Sequence, residues 1–236
     1  MTLCRAGEFR VIKYSGEHWS LLERLRSEAR KIILTLREVG INPFVHGSLA
    51  RGDVNPASDI DIVIPRYVSP ATLEAHLESR GYTIYKKAIV QATPHSTPKV
   101  YYFLNDLETR VISYPLSELS SNELYFYKFG GQVDLEGLQQ GYRVVGVDKR
   151  LMLINPTNDG HVEECIRGRA GYAAKKLGIP EAVVNERIYM LGKREVFGRT
   201  GVFLEYVLRP GEDIPTAVKT LSVENKMFRK AVYGDV

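Results

Sequence analysis

Two aspartates, Asp59 and Asp61, sit one residue apart inside an otherwise apolar run, Asp-Ile-Asp-Ile-Val-Ile over 59–64. Side chains alternate along a strand, so an extended run sets both carboxylates on one face and Ile60 and Ile62 on the other. Two anions aimed at one point repel unless a cation lies between them, and partly burying a carboxylate is costly without that compensation. Few, hard oxygen ligands with room for water and phosphate suit magnesium, or manganese in its place. Upstream lies Gly47-Ser48. A glycine lets backbone approach a phosphate closely, and the serine adds a hydroxyl and an N–H, which together make a small anion nest. The plainer alternative is a polar surface loop in which Gly and Ser turn the chain and Asp59 caps it. It explains the pair alone well, but poorly explains an acidic pair inside so apolar a run with Gly-Ser upstream.

These residues need two short strands to hold them. Pro43-Phe44-Val45-His46 is one, ended by Gly47; Ile60 to Ile64 is the other, closed by Pro65, with a glycine-punctuated polar turn between. Ahead of them, Glu17 to Val39 carries Leu21, Leu22, Leu25, Ile32, Ile33 and Leu36 at helical spacings, with Gly40 as the stop. Behind them, Ser69-Pro70 opens a short helix that ends near Arg80-Gly81. Strands are expected over Tyr82 to Gln91, Lys99 to Leu104 and Leu107 to Tyr114, the last two joined at Asn105-Asp106. Glycine-rich punctuation makes 119–160 a connecting region of unassigned structure. Further on, Gly171 to Leu177 and Pro180 to Lys193 read as helices, Val202 to Leu208 as a strand and Pro215 to Tyr233 as a final helix.

The stretch His46-Gly-Ser-Leu-Ala-Arg-Gly-Asp-Val-Asn-Pro-Ala-Ser-Asp-Ile-Asp-Ile-Val-Ile64 resembles the polymerase-beta-type nucleotidyltransferases, most of all the minimal ones, with their Gly-Ser-x-Ala-Arg-Gly and Ser-Asp-x-Asp wording. The resemblance is specific over Phe44 to Ile64 and fades to element order by about Pro115. It implies an α+β fold, a small mixed sheet flanked by helices, and transfer of a nucleoside monophosphate from a nucleoside triphosphate to an acceptor hydroxyl. Asp59 and Asp61 would be catalytic metal ligands, with Gly47, Ser48 and Arg51 at the nucleotide. Arg51 is also placed to pair with Asp53 instead.

Family members usually carry a third carboxylate on a later strand. Here the matching run is Leu107-Glu-Thr-Arg-Val-Ile-Ser-Tyr-Pro115, and the expected position falls near Arg110. Glu108, two residues earlier and so on the same strand face, is the best local substitute; antiparallel pairing beside the aspartate strand would aim it at the metals. A solvent-facing Glu108 and a third acid from Asp134 are the alternatives. If no acid reaches the site, the chain is a retired nucleotidyltransferase-like regulator that senses nucleotide or binds DNA.

Tyr172 to Leu191 resembles a helix-turn-helix, with Gly178 at the turn. Val202 to Leu208, with Arg199 and Arg209 nearby, could be a wing. Asn185, Arg187 and Lys193 are the candidate DNA contacts, although Glu181 and Glu186 dilute the basic face. The expected division is therefore 1–118 nucleotidyltransferase, 119–160 connection and 161–236 winged-helix-like. A net charge of +4 suits a nucleotide or nucleic-acid partner only weakly. Without a membrane span or a signal-type leader, the expected location is the cytoplasm. Cys4 and Cys165 lie far apart and read as separate thiols, and no histidine has ligand spacing.

Overall fold

The computed structural model describes residues 2–198 and 201–234. In chain order the first elements are β1 (Phe9–Lys13), α1 (Gly16–Arg37), β2 (Phe44–His46), α2 (Ser48–Arg51), β3 (Ile60–Val63), α3 (Pro70–Ser79), β4 (Lys86–Gln91), β5 (Lys99–Phe103) and β6 (Arg110–Pro115). Then come α4 (Ser121–Gly130), β7 (Gln132–Asp134), α5 (Leu135–Gln139), β8 (Gly146–Val147), β9 (Met152–Thr157) and β10 (Gly160–Cys165). The chain closes on α6 (Ala170–Leu177), α7 (Glu181–Phe197), β11 (Leu204–Val207), α8 (Ile214–Glu224) and α9 (Lys226–Tyr233). This is the expected mixed α+β class. No helix among the described residues is long and apolar enough to cross a membrane.

The chain divides into two compact units interleaved in sequence. One comprises Met1–Lys31, Phe44–Ser58 and Ser121–Thr200, the other Ile32–Pro43, Asp59–Ser120 and Gly201–Val236. In the first unit, β1, β10, β9 and β8 form an antiparallel sheet in that order, and β2 pairs antiparallel with β7. Its core gathers Leu3, Phe129, Leu151 to Ile154, Val184 and Leu191. In the second unit the strands run β11-β4-β5-β6-β3, antiparallel except for a parallel β3–β6 pair. Parallel neighbours need a long crossover, and α3, β4 and β5 supply it. Ser69 caps α3 by accepting from Thr72 N, with Pro70 in the first turn, as its sequence requires.

Several expectations are corrected here. The last strand of the hairpin begins at Arg110, not Leu107, and it lies parallel to β3, not antiparallel. Cys4 and Cys165 are not separate thiols but a disulfide, S–S 2.04 Å, across 161 residues of sequence. Segment 119–160 is ordered into α4, β7, α5, β8 and β9, and the first residues contain a strand, β1, that no alternation announced. Gly178 adopts the left-handed conformation expected of it between α6 and α7. The strand expected as a wing, β11, pairs with β4 as an edge of the second unit's sheet. Arg199 lies outside the described residues. The final helix is two, α8 and α9, because Asn225 leaves the helical conformation and caps α9 through Met227 N and Phe228 N.

Candidate active site

In the second unit, Asp59 stands one residue ahead of β3 and Asp61 within it. Asp59 is exposed and Asp61 half-buried, while Ile60 and Ile62 on the opposite face are buried at 0% and 1% exposure. The alternation the sequence called for is therefore real, and a two-carboxylate donor set of hard oxygens on one face fits a single divalent cation.

The neighbouring strand decides what else that face offers. In the parallel ladder Asp61 is in register with Val111 and Ile60 with Arg110. Laterally paired residues share a face, so the carboxylates' side of β6 presents Thr109, Val111 and Ser113, whereas Arg110 sits on the isoleucine side. Arg110 is thus not where a third acid would stand, and no acid occupies the positions that are. Glu108 lies before β6 in a turn with φ 56°, exposed, its carboxylate 2.8 Å from Lys86 Nζ. The strand-face argument for Glu108 does not hold. Asp134 caps α5 instead, Oδ1 accepting from Gly137 N at 2.9 Å. Among the described residues, no three or more His, Cys, Asp or Glu side chains converge to hold a metal.

In the first unit, Gly47 ends β2 with φ 79° and ψ −141°, a backbone state that disfavours any side chain. A Cβ there would meet nothing within 4 Å, so the space in front of the turn is open. Ser48 Oγ donates to Ser58 Oγ at 3.3 Å, and Ser58 Oγ accepts from Asn55 N at 2.9 Å. The two ends of the 48–58 connection are thereby tied together, one peptide bond short of Asp59.

Arg51 makes the second of its two expected contacts: Nε and Nη2 each donate to the Asp53 carboxylate at 2.9 Å, and Nη1 donates to Gly130 O. Only 6% exposed, it braces the turn from behind. Arg26, which the sequence reading passed over, does the same from α1, donating to Leu49 O at 3.0 Å and Ala50 O at 3.1 Å. Burial pushes its pKa down to about 10. The available signal was a cation on the apolar stripe of Leu22, Leu25 and Ala29. His18 Nε2 reaches Gly52 O at 2.8 Å, and the Arg143 stem covers Gly52 while its guanidinium stacks 4.8 Å from Trp19. His46 packs beneath the turn between the Phe126 and Tyr127 rings, 5.5 and 5.3 Å away.

Of the three candidate DNA contacts, Asn185 and Lys193 are exposed, with Lys193 Nζ 4.7 Å over Tyr189. Arg187 turns inward and lies 4.8 Å over the Phe126 ring.

Residues 26–90 match the family model described as a nucleotidyltransferase domain. No curated protein matches the chain. Among solved structures, a chain of Cid1, described for its RNA terminal uridylyl transferase activity, matches at 19% identity with a TM-score of 0.29. That match covers 50% of this chain and 36% of the other, so this chain spans well under two thirds of its length.

Proposed function

We propose that this chain, whose residues 26–90 match the nucleotidyltransferase domain model, binds a nucleoside triphosphate with a divalent cation and moves its nucleoside monophosphate to an acceptor hydroxyl. The observation that carries the reading is the carboxylate pair on one side of β3, backed by buried isoleucines. Asp59 and Asp61 would hold magnesium or manganese, which when bound supplies charge neutralisation to the triphosphate and lowers the pKa of an attacking hydroxyl. Gly47 leaves the backbone of its turn open toward phosphate, and Ser48 offers a hydroxyl donor. Arg26 and Arg51 keep that turn rigid by neutralising its buried carbonyls and Asp53, a positioning role. The acceptor is a hydroxylated compound or a nucleic-acid end.

A second reading, nucleotide binding without transfer, is favoured by one observation: the face of β6 beside Asp61 carries Val111 where an acid would complete a second metal shell. Calorimetry with magnesium and ATP, run on the parent and on the Asp59→Asn, Asp61→Asn double variant, tests the shared part. Binding should vanish in the variant, and a double variant that binds undiminished would remove the site. Release of pyrophosphate in the presence of candidate acceptors then separates transfer from binding.

A further inference from the structure

We propose that Arg187 is an anion-binding residue whose ligand is a phosphate group of the substrate; this rests on the nucleotide-transfer reading above. Its surroundings set it apart from other arginines of the same unit. Arg26 has two backbone carbonyls, Arg51 has Asp53, and Arg150 has Asp148 and Glu163. Arg187 has the Phe126 ring 4.8 Å from its guanidinium carbon, and its Nε is buried with no hydrogen-bond partner. A guanidinium does not shed its proton to escape such a place, because its pKa is too high. Desolvation lowers that pKa, Arg194 two turns along α7 lowers it further, and only Glu186 opposes them. The aromatic face recovers part of the cost, and an anion recovers the rest.

Position narrows the anion. Phe126, which carries Arg187, also lies 5.5 Å from the ring of His46, and His46 immediately precedes Gly47 and Ser48. The stacked arginine is therefore one aromatic ring removed from the turn assigned to phosphate, within one unit. A planar fork of N–H donors matches phosphate oxygens better than a lysine does. Being half-buried on α7, it is poorly placed to read a DNA groove, unlike the exposed Asn185 and Lys193. The phosphate has two possible sources, the nucleotide itself or a phosphorylated acceptor.

Binding of inorganic tripolyphosphate to the full chain, measured by calorimetry in EDTA, tests the proposal without metal, acceptor or turnover. Arg187→Gln should weaken it about tenfold, the loss of one charge-assisted contact of about 1.4 kcal/mol, and Arg187→Lys should fall between. That pattern assigns the nucleotide's phosphates. A loss seen only with a 5′-phosphorylated trinucleotide, and not with its 5′-hydroxyl counterpart, also supports the proposal and assigns the acceptor. Equal affinities in the parent and Arg187→Gln for both probes, or no binding of either probe by the parent, overturn it. Arg187→Met, which keeps the stem over Phe126 and removes the charge, should melt no lower than the parent without ligand. A lower melting temperature with unchanged phosphate binding would mark a packing role and overturn it as well. The Asp59→Asn, Asp61→Asn chain, which removes two anions and no donor, should bind tripolyphosphate in EDTA no more weakly than the parent, so the two readings fail separately.

Discussion

Glu108 and Asp61 are both carboxylates beside β6, and their surroundings set them apart. Asp61 alternates out of a buried strand; Glu108 sits in a turn, held by an exposed ion pair with Lys86. An exposed pair contributes about 0.2–1 kcal/mol at most. Glu108→Gln should therefore change stability by less than about 1 kcal/mol and leave magnesium-dependent nucleotide binding and any pyrophosphate release as in the parent. A selective loss of turnover would return the catalytic assignment to it. Glu163 makes a different prediction. Hydrogen bonding from His161, with Arg150 adding its own bond and charge, pulls its pKa down to about 2 against the burial that raises it. A folded-state pKa below the unfolded one gives stability that is present above the ordinary carboxylate range and is lost as pH falls through it toward about 2. In urea unfolding, the parent should thus exceed Glu163→Gln near neutrality, with the gap closing between about pH 4 and pH 2. A gap that stays constant over that window would show that the charge of Glu163 contributes nothing. At this scale the sequence was readable where residue types set local geometry, as in the alternation of Asp61 with Ile60 and Ile62 and the turn at Gly47. Arg26 and Arg51 were less so, since an arginine's partners are backbone carbonyls and carboxylates that only the fold brings to it.

Among elements, strand existence was legible and strand pairing was not. Apolar runs bounded by Gly and Pro marked β2, β3, β5 and β6, but nothing in Arg-Val-Ile-Ser-Tyr-Pro says whether its neighbour runs with it or against it. Nor does it give the register, and the register, with Val111 beside Asp61, puts the position expected for a third acid on the other face. β1 escaped notice because its exposed Phe9 and Val11 do not mark a buried face, and what holds it is pairing with β10. The Cys4–Cys165 link fastens the residues just before β1 to the end of β10. Closing so long a loop restricts the unfolded chain strongly, and loss of a native disulfide costs about 2–5 kcal/mol. Thermal melts with and without reductant should differ accordingly, and Cys4→Ser with Cys165→Ser should melt like the reduced parent. Identical melts would mean that the thiols are not joined in solution. Asn225→Ala, which removes two bonds of 3.0 Å to the first turn of α9, should cost about 1 kcal/mol in denaturant unfolding.

At the level of the molecule, the chain visits each unit more than once. Composition shifts along a sequence suggest cuts, but they carry no sign of a chain that leaves a unit and returns. Residues 161–236, expected to form a module of their own, contribute β10 to a sheet with β1 and β9 and β11 to a ladder with β4. Expressed alone, that segment leaves both strands without neighbours. It should give a far-ultraviolet circular dichroism spectrum of a largely unfolded chain and no cooperative melt, and a sharp melt would restore the modular division.

The β1–β10 ladder also sets a schedule for synthesis. Phe9 faces Glu164 and Lys13 faces Gly160, so the first strand made has no partner until nearly the whole first unit has left the ribosome. At about 5–20 residues per second that is a wait on the order of ten seconds. Throughout it Phe9 and Val11, which stay 59% exposed even when folded, travel on an open edge next to an unoxidised Cys4. The nascent chain is thus open to misassembly at its amino end, and a factor that shelters those few residues until β10 emerges should raise the yield of folded protein.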